Sequence, residues 1–175
     1  MSARHVVLVG LPGAGKSTVG PLVAAALGRP FMDFDHELAR RVGLSVPAQF
    51  ARDGEPAFRS REAELSAELA GEPPMVLAPG GGWMANSAAA AALRPAALVV
   101  YLRTSPAAAL ARLGTGVADR PLLAGAPDPL GALTALLDRR ASVYGAADHT
   151  LDTDGLVAAA VANSVVALVS GREGS

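Results

Sequence analysis

The sequence predicts an α/β fold in which a parallel β-sheet is covered by helices on both faces. Short apolar runs alternate along the chain with stretches of helical periodicity, which is the pattern of βαβ units. A glycine-rich stretch, residues 10–18, lies between the first apolar run and the first helical stretch. Only 4% of the residues are aromatic while alanine is abundant, which favours helices packed closely against a small sheet.

The alternation predicts five strands and eight helices. We expect strands at residues 5–10, 30–34, 75–79, 97–102 and 148–152, and helices at 16–27, 35–42, 46–52, 56–70, 85–93, 105–113, 128–144 and 155–170. The 175 residues are expected to form a single domain, residues 1–175, because most domains have this size. Residues 35–74 are more than a crossover between parallel strands requires, and such an insertion commonly carries an acceptor site.

Composition excludes several classes of function. The net charge is −1 and no block of lysine or arginine occurs, so neither nucleic acid nor a membrane surface is expected as a partner. Because cysteine is absent, the chain has no disulfide, thiolate nucleophile or cysteine-bound metal. The first apolar run is too short for a signal peptide, and no run reaches the ~18 residues of a membrane span. We therefore expect a cytoplasmic protein, and we treat it as a monomer.

Residues 10–18 match G-x-x-x-x-G-K-[S/T], the P-loop that cradles nucleotide phosphates. In this motif successive backbone N–H groups and the following helix N-terminus converge on phosphate oxygens. Lys16 is expected to reach the β- and γ-phosphates, and the Ser17 hydroxyl to ligate Mg²⁺. Lys16 is the only lysine beside fourteen arginines, and its compact ammonium suits a tight loop better than a planar guanidinium. The predicted ATP contacts of the loop are Gly13, Ala14, Gly15, Lys16, Ser17 and Thr18.

Two acids, Asp33 and Asp35, end the second predicted strand and would share one of its faces. Ligands of open α/β sheets gather at the carboxyl ends of the strands, so both acids would face the P-loop crevice. We predict that Asp33 binds Mg²⁺ or its water ligands and that Asp35 contacts a substrate hydroxyl. The alternative is that Asp35 is the N-cap of the next helix.

Arg59 and Glu62 lie three residues apart and share a face of the predicted helix in the insertion. Taken alone, this spacing favours a surface ion pair somewhat more than a binding site.

Residues 80–82 are three consecutive glycines after a short strand, which permits close approach of the backbone to a ligand. Trp83 follows directly and is expected to wall a pocket. A flexible link between strand and helix is the alternative for the glycines.

A long loop, residues 114–129, is rich in glycine and proline and is expected to form a lid, with a plain surface loop as the alternative. Arg120 lies in this loop, where it would fold over the phosphates and stabilise transition-state charge. Arg139 and Arg140 are adjacent on a predicted helix, so only one of them would face the site.

These motifs together make the chain resemble the shikimate kinases, within the nucleoside-monophosphate-kinase-like P-loop proteins. The resemblance covers roughly residues 5–155 and implies a three-layer P-loop kinase fold with a five-stranded sheet in the order 2-3-1-4-5. It implies ATP and shikimate as substrates, phosphoryl transfer to the shikimate 3-hydroxyl with Mg²⁺, and a role in aromatic amino-acid biosynthesis. It also implies a substrate region at about 34–62 and a lid at about 113–126. The motifs that carry it are Gly13 to Thr18, Asp33-Phe34-Asp35, Asp53-Gly54-Glu55 to Phe58-Arg59, Gly80-Gly81-Gly82, Arg120-Pro121-Leu122-Leu123, and Arg140 with Tyr144.

The resemblance also implies roles for individual residues. The residues that match shikimate contacts are Asp35, Arg59, Gly81 and Arg140, with Gly80 and Gly82 beside them in the glycine motif. Glu62 matches a supporting acid, Arg112 an arginine stacked near the adenine, and Arg120 the lid arginine on ATP. Lys16, Asp35 and Arg120 are therefore the expected catalytic residues.

The chain departs from the family pattern in three places. Trp83 and Met84 replace small residues, which predicts a narrower or reshaped acceptor pocket; Pro79 replaces threonine, and Gly145 stands where an arginine is usual. Two alternatives therefore stand beside shikimate phosphorylation. One is a kinase of the same fold for another acceptor, such as gluconate or a nucleotide. The other is a nucleotide-binding module without transfer activity, in which Asp35 and Arg120 would have no task.

Overall fold

The computed structural model describes residues 3–120 and 123–173, and a parallel sheet of five strands forms its centre. The strands are β1 (His5–Val9), β2 (Phe31–Asp33), β3 (Val76–Ala78), β4 (Ala97–Arg103) and β5 (His149–Asp152). Their order across the sheet is β2-β3-β1-β4-β5, which confirms the predicted order. All four neighbouring pairs are parallel, so the carboxyl ends of the strands meet at one edge.

All eight predicted helices occur in the described part of the chain, with ends that differ from prediction by at most three residues. They are α1 (Lys16–Leu27), α2 (Phe34–Val42), α3 (Val46–Asp53), α4 (Glu55–Leu69), α5 (Ser87–Leu93), α6 (Pro106–Leu113), α7 (Pro129–Tyr144) and α8 (Ala158–Glu173). Short 3₁₀ helices occur at Trp83–Ala85, Arg94–Ala96 and Gly114–Asp119. None of the helices in residues 3–120 and 123–173 is long and apolar enough to cross a membrane.

Alternate residues of β1 feed two hydrophobic cores, one on each face of the sheet. Val6 and Leu8 pack with residues of α1 and α8, whereas Val7 and Val9 join a larger core that includes residues of α4, α5 and α7. Every residue of β1 is buried, as expected for a central parallel strand covered on both faces. The helices on both faces hold β1 firmly and thereby fix the loop that follows it.

The loop between β1 and α1 packs directly against α6. Gly13 has φ 84°, and a Cβ atom placed on it would fall on the Ala109 carbonyl of α6. Only glycine meets both conditions without strain, because it lacks a Cβ atom and adopts positive φ readily. This contact brings α6, with Arg112 in its last turn, beside the P-loop.

The junction of β2 and α2 corrects one sequence expectation. The strand ends at Asp33 and the helix begins at Phe34, so Asp33 and Asp35 do not share the face of one strand. Asp33, rather than Asp35, is the N-cap, because its Oδ1 accepts hydrogen bonds from the backbone N–H groups of Asp35 and His36. The alternative that Asp35 caps the helix is therefore wrong, because Asp33 caps it.

The prediction that Trp83 walls a pocket is wrong. Its side chain is completely buried in the core, where Nε1 donates to Ser66 Oγ at 3.0 Å. Ser66 Oγ in turn donates to the Glu62 carbonyl of α4 at 2.8 Å. An indole N–H needs a partner when it is buried, and Ser66 supplies it. Trp83 thus fastens the glycine loop to α4 instead of narrowing the acceptor cavity.

The glycine- and proline-rich segment is more ordered than a plain loop. Its first part, Gly114–Asp119, forms a 3₁₀ helix that continues from α6. Two residues of the motif that begins at Arg120, Pro121 and Leu122, lie outside the described residues. Leu123 is buried against Ala109 and Leu133, which ties this segment to α6 and α7.

Candidate active site

A large cavity lies over the P-loop at the carboxyl edge of the sheet. Its floor is the backbone of residues 12–18, and Arg112 and Arg120 close its sides. Leu156 and Val161, on the chain after β5, complete the apolar part of the wall. The predicted ATP-binding residues are therefore gathered in one cavity, with backbone N–H groups and cations on one side and an apolar wall on the other.

Lys16 is held at the bottom of this cavity by backbone carbonyls. Its Nζ donates to the carbonyl oxygens of Gly10 at 2.6 Å and Leu11 at 3.0 Å. Burial and, after it, the nearby Arg120 guanidinium together lower the pKa of Lys16 to about 7. Phosphate oxygens would favour the charged ammonium, so nucleotide binding should raise this pKa again.

This arrangement predicts proton uptake when nucleotide binds. Above pH 7 a large part of Lys16 is neutral in the free protein, whereas the ammonium predominates in the complex, so affinity for ATP should fall as pH rises. Calorimetry in two buffers of different ionisation enthalpy at about pH 8 should report uptake of about one proton per nucleotide. Lys16→Met should bind without this uptake. An equal uptake by both proteins would contradict the assignment to Lys16.

Arg112 is fixed at the rim of the same cavity. Its Nη2 donates to the Thr153 carbonyl at 2.7 Å, while Nη1 lies 3.2 Å from Thr153 Oγ1 and 3.4 Å from the Ala14 carbonyl. Three hydrogen bonds hold the plane of the guanidinium in one orientation. A fixed planar cation at a cavity rim suits stacking on a flat base.

Ser17 and Asp33 provide a pair of hard oxygen donors beside the phosphate loop. Ser17 Oγ donates to Asp33 Oδ2 at 2.7 Å, and the other Asp33 oxygen remains on the N-terminus of α2. Hydroxyl and carboxylate oxygens are the ligands and outer partners that Mg²⁺ prefers. The two predicted metal residues therefore offer oxygen donors that suit Mg²⁺.

A second cavity adjoins the first and shares Arg120 and Pro12 with it. Its apolar wall comes from Phe50 and Phe58 on α3 and α4, together with Val46. Its polar wall comprises Asp35, Arg59, Arg140 and the backbone of residues 80–82. A smaller cleft between the two cavities is lined by Lys16, Ser17, Asp33, Asp35 and Arg120 among others. The structure thus brings the predicted acceptor residues next to the nucleotide site.

Arg59 is shared between two acids of its own helix. Nη1 donates to Glu62 Oε1 at 3.0 Å, whereas Nε and Nη2 lie 3.3 Å and 3.2 Å from Glu55 Oε1. Glu62 is completely buried, so the ion pair is not the surface pair that its spacing alone favoured. A Cβ atom on Gly82 would fall on the Arg59 guanidinium, so this glycine is needed for the close approach.

Arg140 is a buried cation without a carboxylate partner among the described residues. Its side chain is 8% exposed, and its closest polar contact is from Nη1 to Tyr144 Oη at 3.5 Å. Tyr144 Oη donates in turn to the Gly81 carbonyl at 3.2 Å. Arg139, its neighbour in the chain, is exposed, as expected if only one of the two faces the site. A buried guanidinium of this kind is chemically suited to bind an anionic group.

Two carboxylates lie near Gly80: Asp35, which lines the second cavity, and Glu62, which is completely buried. A Cβ atom on Gly80 would lie 3.2 Å from Asp35 Oδ1 and 3.6 Å from Glu62 Oε2. Burial raises the pKa of both carboxyl groups, and the Asp33 carboxylate raises the pKa of Asp35 further. Among the described residues, Glu62 Oε2 has no hydrogen-bond partner. Of these two acids only Asp35 lines the second cavity, so Asp35 is the one placed to meet an acceptor hydroxyl.

One residue of this region escaped the sequence analysis. Asn86 donates from Nδ2 to Glu62 Oε1 at 3.0 Å and to the Arg59 carbonyl at 2.9 Å. Its position before an alanine-rich stretch is a recognisable N-cap signal, but that signal reveals only the cap. The contacts with α4 depend on tertiary packing, which no local pattern encodes.

Comparisons with known proteins agree with this geometry. A model of the shikimate kinase family matches residues 12–170. The shikimate kinase of Symbiobacterium thermophilum is 44% identical over 146 residues, which cover 83% of each chain. That of Moorella thermoacetica is 43% identical over 161 residues, which cover 92% of this chain and 91% of the other. The structure of the Acinetobacter baumannii shikimate kinase in complex with shikimate matches with a TM-score of 0.91 and 35% identity, covering 98% of this chain and 95% of that one.

A more distant likeness concerns the fold alone. A gluconokinase from Sinorhizobium meliloti matches with a TM-score of 0.59 and 19% identity. Similarity at this level shows a common arrangement of sheet and helices and carries no information about the acceptor.

Proposed function

The chain belongs to the shikimate kinase family, and on this premise we propose that it transfers the γ-phosphoryl group of ATP to the 3-hydroxyl of shikimate. The products are shikimate 3-phosphate and ADP. The observation that supports shikimate as the acceptor is the burial of Arg140, a cation without a carboxylate partner among the described residues. It lines the cavity that also holds Arg59 and Asp35.

The chemistry of shikimate matches these groups one by one. Its carboxylate would bind Arg140 and Arg59 through charge-assisted hydrogen bonds, which are stronger than neutral ones. Its hydroxyls would bind Asp35 and the backbone of residues 80–82, and its ring would lie against Phe50 and Phe58. A nucleotide-binding module without transfer activity would leave this second cavity and its buried cation without a task.

In the proposed reaction the acceptor hydroxyl oxygen forms a bond to the γ-phosphorus while the bond from that phosphorus to the β–γ bridging oxygen breaks. Asp35 orients the hydroxyl and accepts its proton, and its raised pKa makes it a better base than an exposed aspartate. Lys16 and Arg120 stabilise the charge on the transferred group. The adjoining cavities supply the alignment that such a transfer requires.

We propose Mg²⁺ as the metal, with Ser17 as its ligand and Asp33 acting on it directly or through water. The metal would supply charge neutralisation at the phosphates. We expect chelation by EDTA to abolish transfer and added Mg²⁺ to restore it. Asp33→Asn retains an oxygen for the α2 cap but loses its charge, so its half-saturating Mg²⁺ concentration should rise about ten-fold. An unchanged Mg²⁺ requirement in this variant would contradict the role of Asp33.

We also propose that residues 1–175 act as one kinase domain, with the acceptor region at about 34–62 and a lid at about 113–126. Arg120 supports the lid assignment, because it lines both cavities and the cleft between them. We further propose that the protein acts as a monomer that meets ATP and shikimate in the cytoplasm. Light scattering of the purified protein tests the monomer.

A coupled assay of ADP release tests the acceptor directly. The purified chain is given MgATP with shikimate, with gluconate, or with neither acid, and mass spectrometry identifies the phosphorylated product. We expect turnover that depends on both shikimate and Mg²⁺. Equal turnover with gluconate would favour the alternative kinase of the same fold. No turnover with either acid would favour the module without transfer activity.

A further inference from the structure

We propose that Asn86 is a positioning residue for the acceptor site, because it fixes the carboxylate that orients Arg59. The inference rests on the proposed function, since it concerns binding of shikimate at that site. Asn86 lines another cleft together with Arg59 and Gly82, which also line the acceptor cavity. It does not line the acceptor cavity itself. It therefore acts through other residues and not by contact with the acceptor.

The Asn86 amide group is used on both sides. Nδ2 donates to Glu62 Oε1 at 3.0 Å and to the Arg59 carbonyl at 2.9 Å, while Oδ1 accepts from the N–H group of Ala89 at 3.4 Å. Its backbone N–H lies 3.1 Å from the Gly82 carbonyl. The side chain of Asn86 thereby joins the start of α5 to the acceptor helix α4, and its backbone N–H joins both to the glycine loop.

The contact with Glu62 determines how that carboxylate is used. Oε1 accepts hydrogen bonds from both Asn86 Nδ2 and Arg59 Nη1, whereas Oε2 has no partner in the described part of the chain and lies toward Gly80. Burial favours the neutral form of Glu62, and the two donors oppose this by stabilising the charge. Glu62, held in place by Asn86, then holds Arg59 Nη1 in its orientation. Without Asn86, Arg59 would retain its exposed partner Glu55 but lose much of its orientation.

Two substitutions separate this role from the helix cap. Asn86→Ser retains a capping oxygen for α5 but is too short to reach Glu62, whereas Asn86→Ala loses both functions. We expect Asn86→Ser to raise the KM for shikimate about ten-fold or more, since a hydrogen bond to a buried charged group is lost. The KM for ATP should stay within about two-fold of the parent value, since Asn86 is remote from the P-loop cavity. Both variants lose the bond to buried Glu62, and Asn86→Ala should lower the melting temperature further than Asn86→Ser because it also loses the cap.

The substitution Asn86→Asp gives a readout that a purely structural role would not produce. The introduced carboxylate keeps the cap but faces Glu62, and the other charged groups near Glu62 are Arg59 and Asp35. At low pH a proton held between the two acids would restore a donor to Glu62 Oε1. The KM for shikimate should therefore fall as pH is lowered from about 8 to about 6 relative to the parent protein. Asn163→Asp, an exposed asparagine on α8, is the matched control and should behave like the parent.

The outcomes distinguish this inference from the proposed function. A parent protein that does not phosphorylate shikimate overturns both. A parent that does so, with Asn86→Ser showing an unchanged KM for shikimate, overturns only the role of Asn86. Equal increases in the KM for ATP and for shikimate would also overturn it, because they would indicate general damage to the protein structure. If Asn86→Ser folds poorly, the pH dependence of Asn86→Asp decides the question, since that variant retains the cap.

Discussion

Lys16→Met is expected to lower the turnover of MgATP and shikimate by about three orders of magnitude, because a central electrostatic contact of the transferred phosphoryl group is removed. Lys16 lies at the bottom of the nucleotide cavity and also lines the cleft that leads to the acceptor. Methionine fills a similar volume without a charge. ADP release and direct detection of shikimate 3-phosphate measure the effect.

Thermal unfolding of the same variant separates catalysis from folding. Burial of the Lys16 amine is unfavourable for its charged form, as the lowered pKa shows, so its removal should leave the melting temperature unchanged or slightly higher. Lys16→Arg retains a positive charge but places a wide planar group in the tight loop, and it should also be inactive. Substantial activity in Lys16→Met would overturn the proposed role of the P-loop.

Arg140→Met is expected to have the second largest effect, a loss of about 100-fold or more in kcat/KM for shikimate. Truncating one partner of a buried charge pair costs about 2–5 kcal/mol, and the acceptor carboxylate is the partner we propose. The KM for ATP should change little, because Arg140 lines the acceptor cavity and is absent from the nucleotide cavity. Steady-state kinetics with each substrate varied in turn measures this difference.

The same substitution should stabilise the protein in the absence of ligand. Arg140 has no carboxylate partner among the described residues, so the free protein carries the desolvation penalty of its charge. Methionine retains the packing of the aliphatic stem and removes the charge, which should raise the melting temperature. Arg139→Met, at the exposed neighbouring position, is the control and should alter neither activity nor stability by much. A destabilised Arg140→Met with normal shikimate kinetics would contradict both the receptor role and its energetic cost.

The parts of the fold with strong local patterns could be predicted from the sequence. The run before the P-loop became β1, and α1 begins at Lys16 and ends at Leu27 as predicted. Glycines with positive φ, Gly15 and Gly28, flank α1. Because glycine adopts this conformation readily, its presence at these positions indicates the limits of the helix. The strand order was implied by the resemblance and not by periodicity, because strand pairing joins residues far apart in the chain.

The directions of side chains in the site were harder to predict. The position of Trp83 directly after the glycines predicts a pocket wall, but its indole is buried and hydrogen-bonded to Ser66, seventeen positions earlier. The structure gives Asp33 the capping role that was an alternative for Asp35, because α2 begins one residue before the predicted limit. The spacing of Arg59 and Glu62 fits an ordinary surface ion pair, and only the burial of Glu62 in the structure shows otherwise. In each case the deciding contact is tertiary.

Trp83 gives the protein an intrinsic optical reporter. It is the only tryptophan of the chain, so all indole emission arises from one place, directly after the three glycines. Because the ring is shielded from water and its N–H is engaged by α4, the emission of the folded chain should lie at short wavelength and shift to the red on unfolding. A ligand that moves the glycine loop against α4 would alter the intensity without any added label. Acceptor binding can thus be followed separately from nucleotide binding, at the side of the site where the indole lies.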